Sequence, residues 1–222
     1  MPYVDSSVAN SQPPQREAIR YLDGPCLVLA GAGSGKTRVI THKIAYLIGQ
    51  CGMSPANIAA ITFTNKAAKE MQERVSGLMG AGAAKGLTVC TFHALGVRIV
   101  RQEAKHCGLK PQFSILDASD AAQIVAEIAK DADKARAKAL QWQISGWKNA
   151  LVSPAEAAKL ANDELTAAAA QLYAEYERTL RAYQAVDFDD LIGLPVQLFE
   201  TNPEVRERWQ NRLRAVARKT RR

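Results

Sequence analysis

The stretch that decides the fold is Ala30-Gly31-Ala32-Gly33-Ser34-Gly35-Lys36-Thr37. It fits the Walker A pattern with alanine in place of the first glycine, and it lies between a short apolar run and a segment of helical composition. In such a loop the glycines let backbone N–H groups converge on phosphate oxygens, and the dipole of the following helix favours negative charge. We therefore predict a nucleotide-binding phosphate loop (P-loop) rather than an ordinary glycine-rich turn.

Individual side chains in and near this loop have predicted roles. Lys36 is expected to bridge the β- and γ-phosphates and Thr37 to offer its hydroxyl to Mg²⁺, so these two are the candidate catalytic residues and Thr37 the candidate metal ligand. Gln15, just before a short helix predicted over 16–22, can pair with an adenine edge or be an ordinary exposed glutamine. Arg38 can stack on a base or face solvent. The candidate nucleotide-binding residues are Gln15, Ala30, Gly31, Ala32, Gly33, Ser34, Gly35, Lys36, Thr37 and Arg38.

Strand and helix signals alternate in the first half of the chain. Each of three apolar segments is followed by a stretch of helical composition, which indicates an α/β unit with a buried parallel sheet. The predicted strands are Cys26–Ala30, Ile58–Phe63 and Leu87–Phe92, and the predicted helices are 36–49, 66–78 and 93–107.

The second half of the chain differs from the first in composition. Strand signals stop after about residue 110, and alanine-rich helical composition runs from 117 to 181, with helix starts at Asp117 and Ser153-Pro154. This pattern predicts an all-helical subdomain inserted after the third strand. One buried helical face is expected from the spacing of Leu165, Leu172, Tyr176, Leu180 and Tyr183.

Charge and composition restrict the classes of protein to which this chain can belong. The 222 residues carry a net charge of +7, but six of the 29 basic residues lie in the last eleven positions, and the remaining 23 face 22 acidic residues. Total charge is therefore a poor argument for DNA binding, and a basic tail is expected to be solvated and frayed. No apolar run is long enough to cross a bilayer, no signal peptide is apparent and the four cysteines form no CxxC pair, which predicts a cytoplasmic protein without membrane contact.

Three further motifs carry a family resemblance. They are Thr62-Phe63-Thr64-Asn65-Lys66-Ala67-Ala68-Lys69-Glu70-Met71, Thr91-Phe92-His93-Ala94-Leu95 and Asp187-Phe188-Asp189-Asp190-Leu191-Ile192. With the P-loop, they closely resemble superfamily 1 DNA helicases of the UvrD/Rep type, from about Gln15 to Arg214. The resemblance argues against an unrelated P-loop kinase or transferase.

This resemblance implies a RecA-like P-loop fold and a 3′-to-5′ single-stranded DNA translocase that uses ATP and Mg²⁺. It assigns adenine recognition to Gln15 and a place beside the base to Arg38. The residues that it implies for single-stranded DNA are Phe63, Thr64, Asn65, Thr91, Phe92 and His93. Base stacking on an aromatic ring is worth ~1–3 kcal/mol per base. The domains expected are 1–95 (RecA-like, first part), 96–200 (helical insertion) and 201–222 (return helix and basic tail).

Simpler roles remain open for several of these residues. Phe63 and Phe92 end predicted strands and could belong to the core, and His93 could be a packing histidine. Asp187 could cap a helix, with Asp189 and Asp190 solvated beside it.

One motif of the family is missing. In the family a helix resembling 204–213 leads into an apolar strand that ends in an Asp-Glu pair, which holds Mg²⁺ and positions the attacking water. Here 215–222 has neither the apolar run nor the acids, and the family pattern is lost after about 214. We therefore expect an incomplete sheet with an unpaired inner edge, from a truncated or frame-shifted product without the second RecA-like domain.

Two functions follow from this sequence. The chain is either the amino-terminal ATP-binding portion of a DNA helicase, inactive or impaired alone, or a non-catalytic module that binds nucleotide and single-stranded DNA. Other replication or repair proteins are possible partners, and the oligomeric state is open.

Overall fold

The computed structural model describes residues 11–31, 33–80, 82–130 and 133–219. These residues form two compact units, one comprising those up to Phe92 and from Glu207 onward, and the other comprising His93–Arg206. Sequence alone suggested domain limits at 95/96 and 200/201.

Ten α-helices, two short 3-10 helices (Pro55–Asn57 and Ala104–Cys107) and five strands are assigned within the described residues. The helices are α1 (Pro13–Arg20), α2 (Lys36–Gly49), α3 (Asn65–Met79), α4 (Phe92–Gln102), α5 (Ala118–Ala129), α6 (Lys134–Asn149), α7 (Pro154–Leu160), α8 (Glu164–Ala182), α9 (Asp190–Thr201) and α10 (Pro203–Arg212). The strands are β1 (Ile58–Thr62), β2 (Thr88–Thr91), β3 (Ser114–Ile115), β4 (Ala185–Val186) and β5 (Ala215–Arg218).

The first unit is a small parallel sheet with helices packed against it. Its strands lie in the order β2-β1-β5, with Ala59 opposite Thr88 on one side and Val216 on the other. All five residues of β1 are buried, as expected for the central strand of a parallel sheet. The core that fixes α2 and α3 on the sheet consists of Ile44, Leu47, Ile58, Ala60, Met71 and Val75.

The first predicted strand is wrong. Residues 26–30 adopt no regular structure, and the side chains of Leu27 and Leu29 are 83% and 67% exposed. A cavity of about 470 Å³ is lined by residues 24–28 and by all four residues of β5, so the two segments do not pair. β5 offers them little to pack on, because Ala215 and Ala217 are small and Arg218 is charged.

Up to Lys219, the predicted fate of the C-terminal region is also wrong; residues 220–222 lie outside the described residues. Instead of a frayed tail beside an unpaired edge of β1, Ala215–Arg218 forms a strand parallel to β1, and the Lys219 N–H donates to the Ile61 carbonyl at 2.9 Å. Pairing satisfies the polar backbone along the edge of β1, even though β5 buries little apolar surface, with two alanines, a Val216 that is 60% exposed and a charged Arg218. The resulting sheet has β2 and β5 at its edges.

The second unit is mainly helical. Asp117 accepts hydrogen bonds from the Ser119 and Asp120 N–H groups, and Ser153 accepts one from Glu156 N–H ahead of Pro154, which confirms both predicted helix starts. Along α8, Tyr176 and Leu180 are buried as predicted. Leu165 and Tyr183 are exposed, because one lies in the first turn of α8 and the other directly after its end.

The prediction that this unit is all-helical is wrong in one respect. β3 and β4 pair in parallel, with Ser114 opposite Ala185 and Ile115 opposite Val186. Two-residue strands are too short to give an alternating pattern, so composition alone does not reveal them. Within the residues that the structure describes, no helix has the length and hydrophobicity needed to cross a membrane.

Candidate nucleotide site and strand-end surface

The predicted P-loop has the backbone conformation that its glycines allow. Gly33 and Gly35 have φ angles of 74° and 81°, in the left-handed region that side chains with a Cβ disfavour, and Gly35 is the N-cap of α2. The Ser34 hydroxyl donates to the Gly31 carbonyl at 2.7 Å, which closes the turn. Ala32 lies outside the described residues. The loop thus leads directly into a helix N-terminus, whose free N–H groups and dipole favour anions.

Lys36 is folded back onto its own loop. Its Nζ donates to the Ala30 carbonyl at 2.7 Å and to the Gly31 carbonyl at 2.5 Å. The ammonium is therefore held at the loop by backbone oxygens, which it can exchange for phosphate oxygens without a large movement of the helix.

Gln15 lies against the same loop. It is the third residue of α1 rather than the residue before a helix, as the sequence had suggested. Its Nε2 donates to the Ser34 carbonyl at 3.1 Å, and its Oε1 accepts from the Gln12 N–H at 3.2 Å. The structure therefore brings Gln15 to the P-loop across 19 residues of sequence.

Lys43 fastens α1 to α2. Its Nζ donates to the carbonyl of Ala18 at 3.0 Å and to that of Tyr21 at 2.5 Å, so a cation on α2 satisfies the last carbonyls of α1. Burial lowers the pKa of Lys43. Together with the packing of Ile19 against Val39, this contact, which the sequence did not reveal, holds the helix that carries Gln15 next to the P-loop.

A basic cavity of about 420 Å³ opens beside the loop. Its lining comprises Gly33, Ser34, Gly35, Lys36, Thr37, Arg38, Arg74 and Lys219. Four of these side chains are basic and none is acidic, so the cavity suits a polyanion of nucleotide size. Arg74 and Lys219 were missed in the sequence, because neither belongs to a motif; their only signal was that each is basic and lies in or after an element beside β1.

The surroundings of Thr37 do not fit Mg²⁺. Lys219 Nζ donates to Thr37 Oγ1 at 2.9 Å, and no carboxylate of the described ranges lines the cavity. Mg²⁺ requires oxygen ligands and is usually held by one or two carboxylates together with substrate phosphates. Nowhere in the described part of the chain does a group of three or more His, Cys, Asp or Glu side chains lie close enough together to hold a metal ion.

The two predicted DNA segments meet at one edge of the sheet. Thr62 lies opposite Thr91 in the parallel register of β1 and β2, so the residues that follow the two strands are neighbours. Phe63 is 66% exposed and Asn65 is exposed at the start of α3. Thr64 caps α3 by accepting from the Ala67 N–H at 3.2 Å. We call Phe63, Thr64, Asn65, Thr91 and Phe92 the strand-end surface.

Aromatic rings at this edge face solvent rather than the core. Phe92 is 40% exposed, and the Arg218 guanidinium lies 4.8 Å from the centre of its ring. Arg218 is thus a further candidate at the strand-end surface, which the sequence had assigned to a solvated tail. His93, the first residue of the second unit, is exposed and meets the Phe188 ring edge-on at 5.6 Å.

In the second unit, the aspartates of 187–190 are mostly structural. Lys148 Nζ lies 2.8 Å from Asp187 Oδ2, 2.8 Å from Asp190 Oδ1 and 2.7 Å from Glu177 Oε1. Asp190 is therefore buried and paired, not solvated as the simpler reading proposed, whereas Asp189 accepts from Asn149 Nδ2 at 2.8 Å.

The same cluster perturbs proton affinities. Burial raises the pKa of Asp190 to about 6 despite the opposing effect of the Lys148 ammonium. The pKa of Lys148 is raised, because the attraction of Asp190, Asp187 and Glu177 outweighs the effect of burial. Tyr176 donates to Asp187 Oδ2 at 2.9 Å, and burial raises its pKa. These groups form a closed network whose first role is to hold α6, α8 and the start of α9 together.

One protein family and several curated relatives match this chain. The family described as "UvrD/REP helicase N-terminal domain" matches residues 11–217. Curated relatives include the ATP-dependent DNA helicase Rep of Salmonella typhimurium and that of Escherichia coli, each 48% identical over 205 residues. The ATP-dependent DNA helicase PcrA of Staphylococcus aureus is 44% identical over 206 residues.

These matches cover most of this chain but only a small part of each relative. They span 91% of this chain, but only 30% of the Rep proteins and 28% of PcrA. The chain therefore corresponds to less than a third of the length of the relatives that it matches.

Proposed function

The chain belongs to the UvrD/REP helicase N-terminal domain family, and from this we propose that it binds ATP at the P-loop and single-stranded DNA along the strand-end surface. In this proposal Lys36 and the backbone N–H groups of the loop bind the phosphates. Gln15 recognises adenine and Arg38 lies beside the base. Phe63 stacks on a DNA base, while Thr64, Asn65 and Thr91 bind phosphates without reading sequence.

The observation that carries the proposal is the basic cavity at the N-terminus of α2. Left-handed Gly33 and Gly35, the Lys36 ammonium and the contact from Gln15 to the loop all converge on it. The strand-end surface adds exposed rings at the carboxyl edge of the same sheet, where open α/β sheets bind ligands. Both features therefore lie within one unit.

We further propose that the family activity, 3′-to-5′ translocation driven by ATP, requires parts beyond these residues. The relatives are named ATP-dependent DNA helicases, and this chain spans about 30% of their length. Hydrolysis in P-loop enzymes depends on a residue that orients the attacking water and on charge neutralisation at the phosphates. With Lys219 rather than a carboxylate beside Thr37, we expect the chain to bind ATP but to turn it over very slowly or not at all.

ATP binding and ATP turnover by the whole chain, with and without single-stranded DNA, test this proposal. Lys36→Ala should abolish tight ATP binding with little change in the unfolding temperature, because the Lys36 ammonium donates to two carbonyls of an exposed loop. Retained ATP binding without turnover supports a nucleotide-binding portion of a helicase. Turnover that DNA stimulates and that Lys36→Ala removes would contradict the inactivity, and equal ATP affinity in the variant would contradict the P-loop assignment.

The DNA part of the proposal is tested with Phe63→Ala. Loss of one stacked base at ~1–3 kcal/mol should weaken binding of an oligothymidylate roughly 5- to 150-fold, with ATP affinity unchanged. Phe113→Ala is the contrasting variant, because that ring is buried in the second unit and its loss should lower stability instead. A similar loss of stability for Phe63→Ala would mean that its ring packs rather than binds DNA.

A further inference from the structure

The end of β5 places an ammonium group where a P-loop protein normally has a metal ion. The register that sets Arg218 opposite Ile61, and the hydrogen bond from the Lys219 N–H to the Ile61 carbonyl, bring Lys219 to the carboxyl edge of the sheet. From there its Nζ reaches the Thr37 hydroxyl at 2.9 Å. In P-loop proteins that hydroxyl and an acidic side chain on a neighbouring strand together hold Mg²⁺.

The charges around the cavity also disfavour a divalent cation beside Thr37. Lys36, Arg38, Arg74 and Lys219 line it, and among the residues that the structure describes no acidic side chain does. A divalent cation beside Thr37 would be repelled by the Lys219 ammonium and would find no carboxylate to bind. Metal-free ATP, which carries two more negative charges than its Mg²⁺ complex, is the better electrostatic match.

We propose that the Lys219 ammonium replaces the divalent cation beside Thr37, so that this chain binds nucleoside triphosphates without Mg²⁺. The inference rests on the proposed nucleotide site and adds the ionic form of its ligand. Lys219 acts as a fixed counter-ion: an ammonium can donate hydrogen bonds to both the Thr37 hydroxyl and a phosphate oxygen. It cannot polarise a water molecule as a metal ion does, so the replacement favours binding over hydrolysis.

Calorimetric titration of the 222-residue chain with ATP, in EDTA and again in excess Mg²⁺, tests the inference. We expect an affinity in EDTA that is equal to or higher than the affinity in Mg²⁺. Lys219→Met should weaken binding in EDTA about tenfold, as loss of one charge-assisted contact would. Lys219→Glu should weaken it further, and Mg²⁺ should then restore binding, because a carboxylate now stands beside Thr37.

Two control variants make the titration specific. Arg214→Met removes an exposed charge directly before the same strand, at a residue that is not among those lining the cavity, so it should leave ATP affinity unchanged. Lys219→Arg keeps the charge and should retain binding in EDTA. Thermal unfolding of each variant shows that the strand is still formed.

The outcomes separate this inference from the proposed function. Tighter ATP binding by the unaltered chain in Mg²⁺ than in EDTA would overturn the inference but leave the nucleotide site intact. Equal affinity of Lys219→Met and the unaltered chain in EDTA would overturn it too. Absence of ATP binding under both conditions, or binding that Lys36→Ala does not reduce, would instead overturn the proposed function.

Discussion

Lys148 is the side chain on which the charge balance of the second unit depends. It is buried and contacts three carboxylates, from Glu177, Asp187 and Asp190, and its Nζ also lies 5.5 Å from the centre of the Tyr176 ring. Removing the cation leaves the acids buried without compensation, which costs far more than losing an exposed ion pair. We therefore expect Lys148→Met to lower the free energy of unfolding by roughly 3–5 kcal/mol at pH 8.

The pH dependence of that loss follows from the direction of the pKa shifts. Burial raises the pKa of Asp190 to about 6 even with Lys148 present, and without the cation it should rise further. When the pKa of a carboxyl group is higher in the folded than in the unfolded state, the group stabilises the folded state at a pH below its pKa in the unfolded state. This contribution is lost as the pH rises through its pKa in the folded state. The deficit of Lys148→Met should therefore be small near pH 4–5 and grow above about pH 6.

Denaturant unfolding at pH 5 and pH 8 measures this difference. Lys138→Met is the matched control, because Lys138 is exposed on the same helix and its loss should change stability by less than about 0.5 kcal/mol at both values. An equal loss for Lys148→Met at the two pH values would show that packing of its aliphatic stem, not its charge, stabilises the unit.

At the scale of elements, the approach of α4 to the start of α9 depends on one glycine. A Cβ built on Gly96 would lie 1.8 Å from the Leu191 carbonyl oxygen, whereas one on Gly146 of α6 would meet nothing within 4 Å. Gly96→Ala must therefore push the two backbones apart, and overpacking of this kind typically costs ~1–3 kcal/mol or more. We expect at least about 2 kcal/mol of destabilisation.

Gly146→Ala provides the control for this change. It adds the same methyl group to an exposed helix position and should stabilise the chain by ~0.5–1 kcal/mol, because alanine loses less conformational entropy in a helix. Thermal or denaturant unfolding of the two variants should move in opposite directions. A neutral Gly96→Ala would mean that α4 and α9 can separate at little cost.

Helices whose starts are set by neighbouring residues were predictable from the sequence. The helix predicted over 36–49 is α2 to the residue, because its start is set by Gly35 and the loop before it. Capping side chains likewise fixed the starts of α5 and α7 at Asp117 and Ser153. The resemblance implied that Gln15 recognises adenine, but its hydrogen bond to the P-loop was not predicted, since a lone glutamine carries no local signal.

Elements that depend on distant partners were not predictable. Residues 26–30 have the apolar composition of a buried strand, yet a strand also needs a neighbour with enough apolar surface, and β5 does not supply it. Conversely, Ala215–Arg218 forms β5 because the backbone edge of β1 accepts it, although its composition is that of a solvated tail. The position of Lys219 beside Thr37 follows from this second pairing, which is why the sequence missed it.

At the scale of the whole molecule, two separate cores predict two cooperative units. One core is built around Ile44, Met71 and Val75, and another around Leu140, Ile144 and Tyr176. Ile144 is 1% exposed, so Ile144→Ala should cost ~2–5 kcal/mol. Because opening of a cooperative unit governs its amide exchange, hydrogen exchange should accelerate in peptides from 93–206 and stay unchanged in β1, α2 and α3.

The complementary variant and the nucleotide complete this test. Val75→Ala, at a position that is 0% exposed in the first core, should accelerate exchange in β1, α2 and α3 and leave the second unit unchanged. ATP at 100 times its Kd should slow exchange by an amount equivalent to ~2.7 kcal/mol, and only in the unit that holds the P-loop. If either substitution accelerates amide exchange in both units, the chain unfolds as one cooperative unit instead. A loss of core packing around Ile144 would then also weaken the nucleotide site.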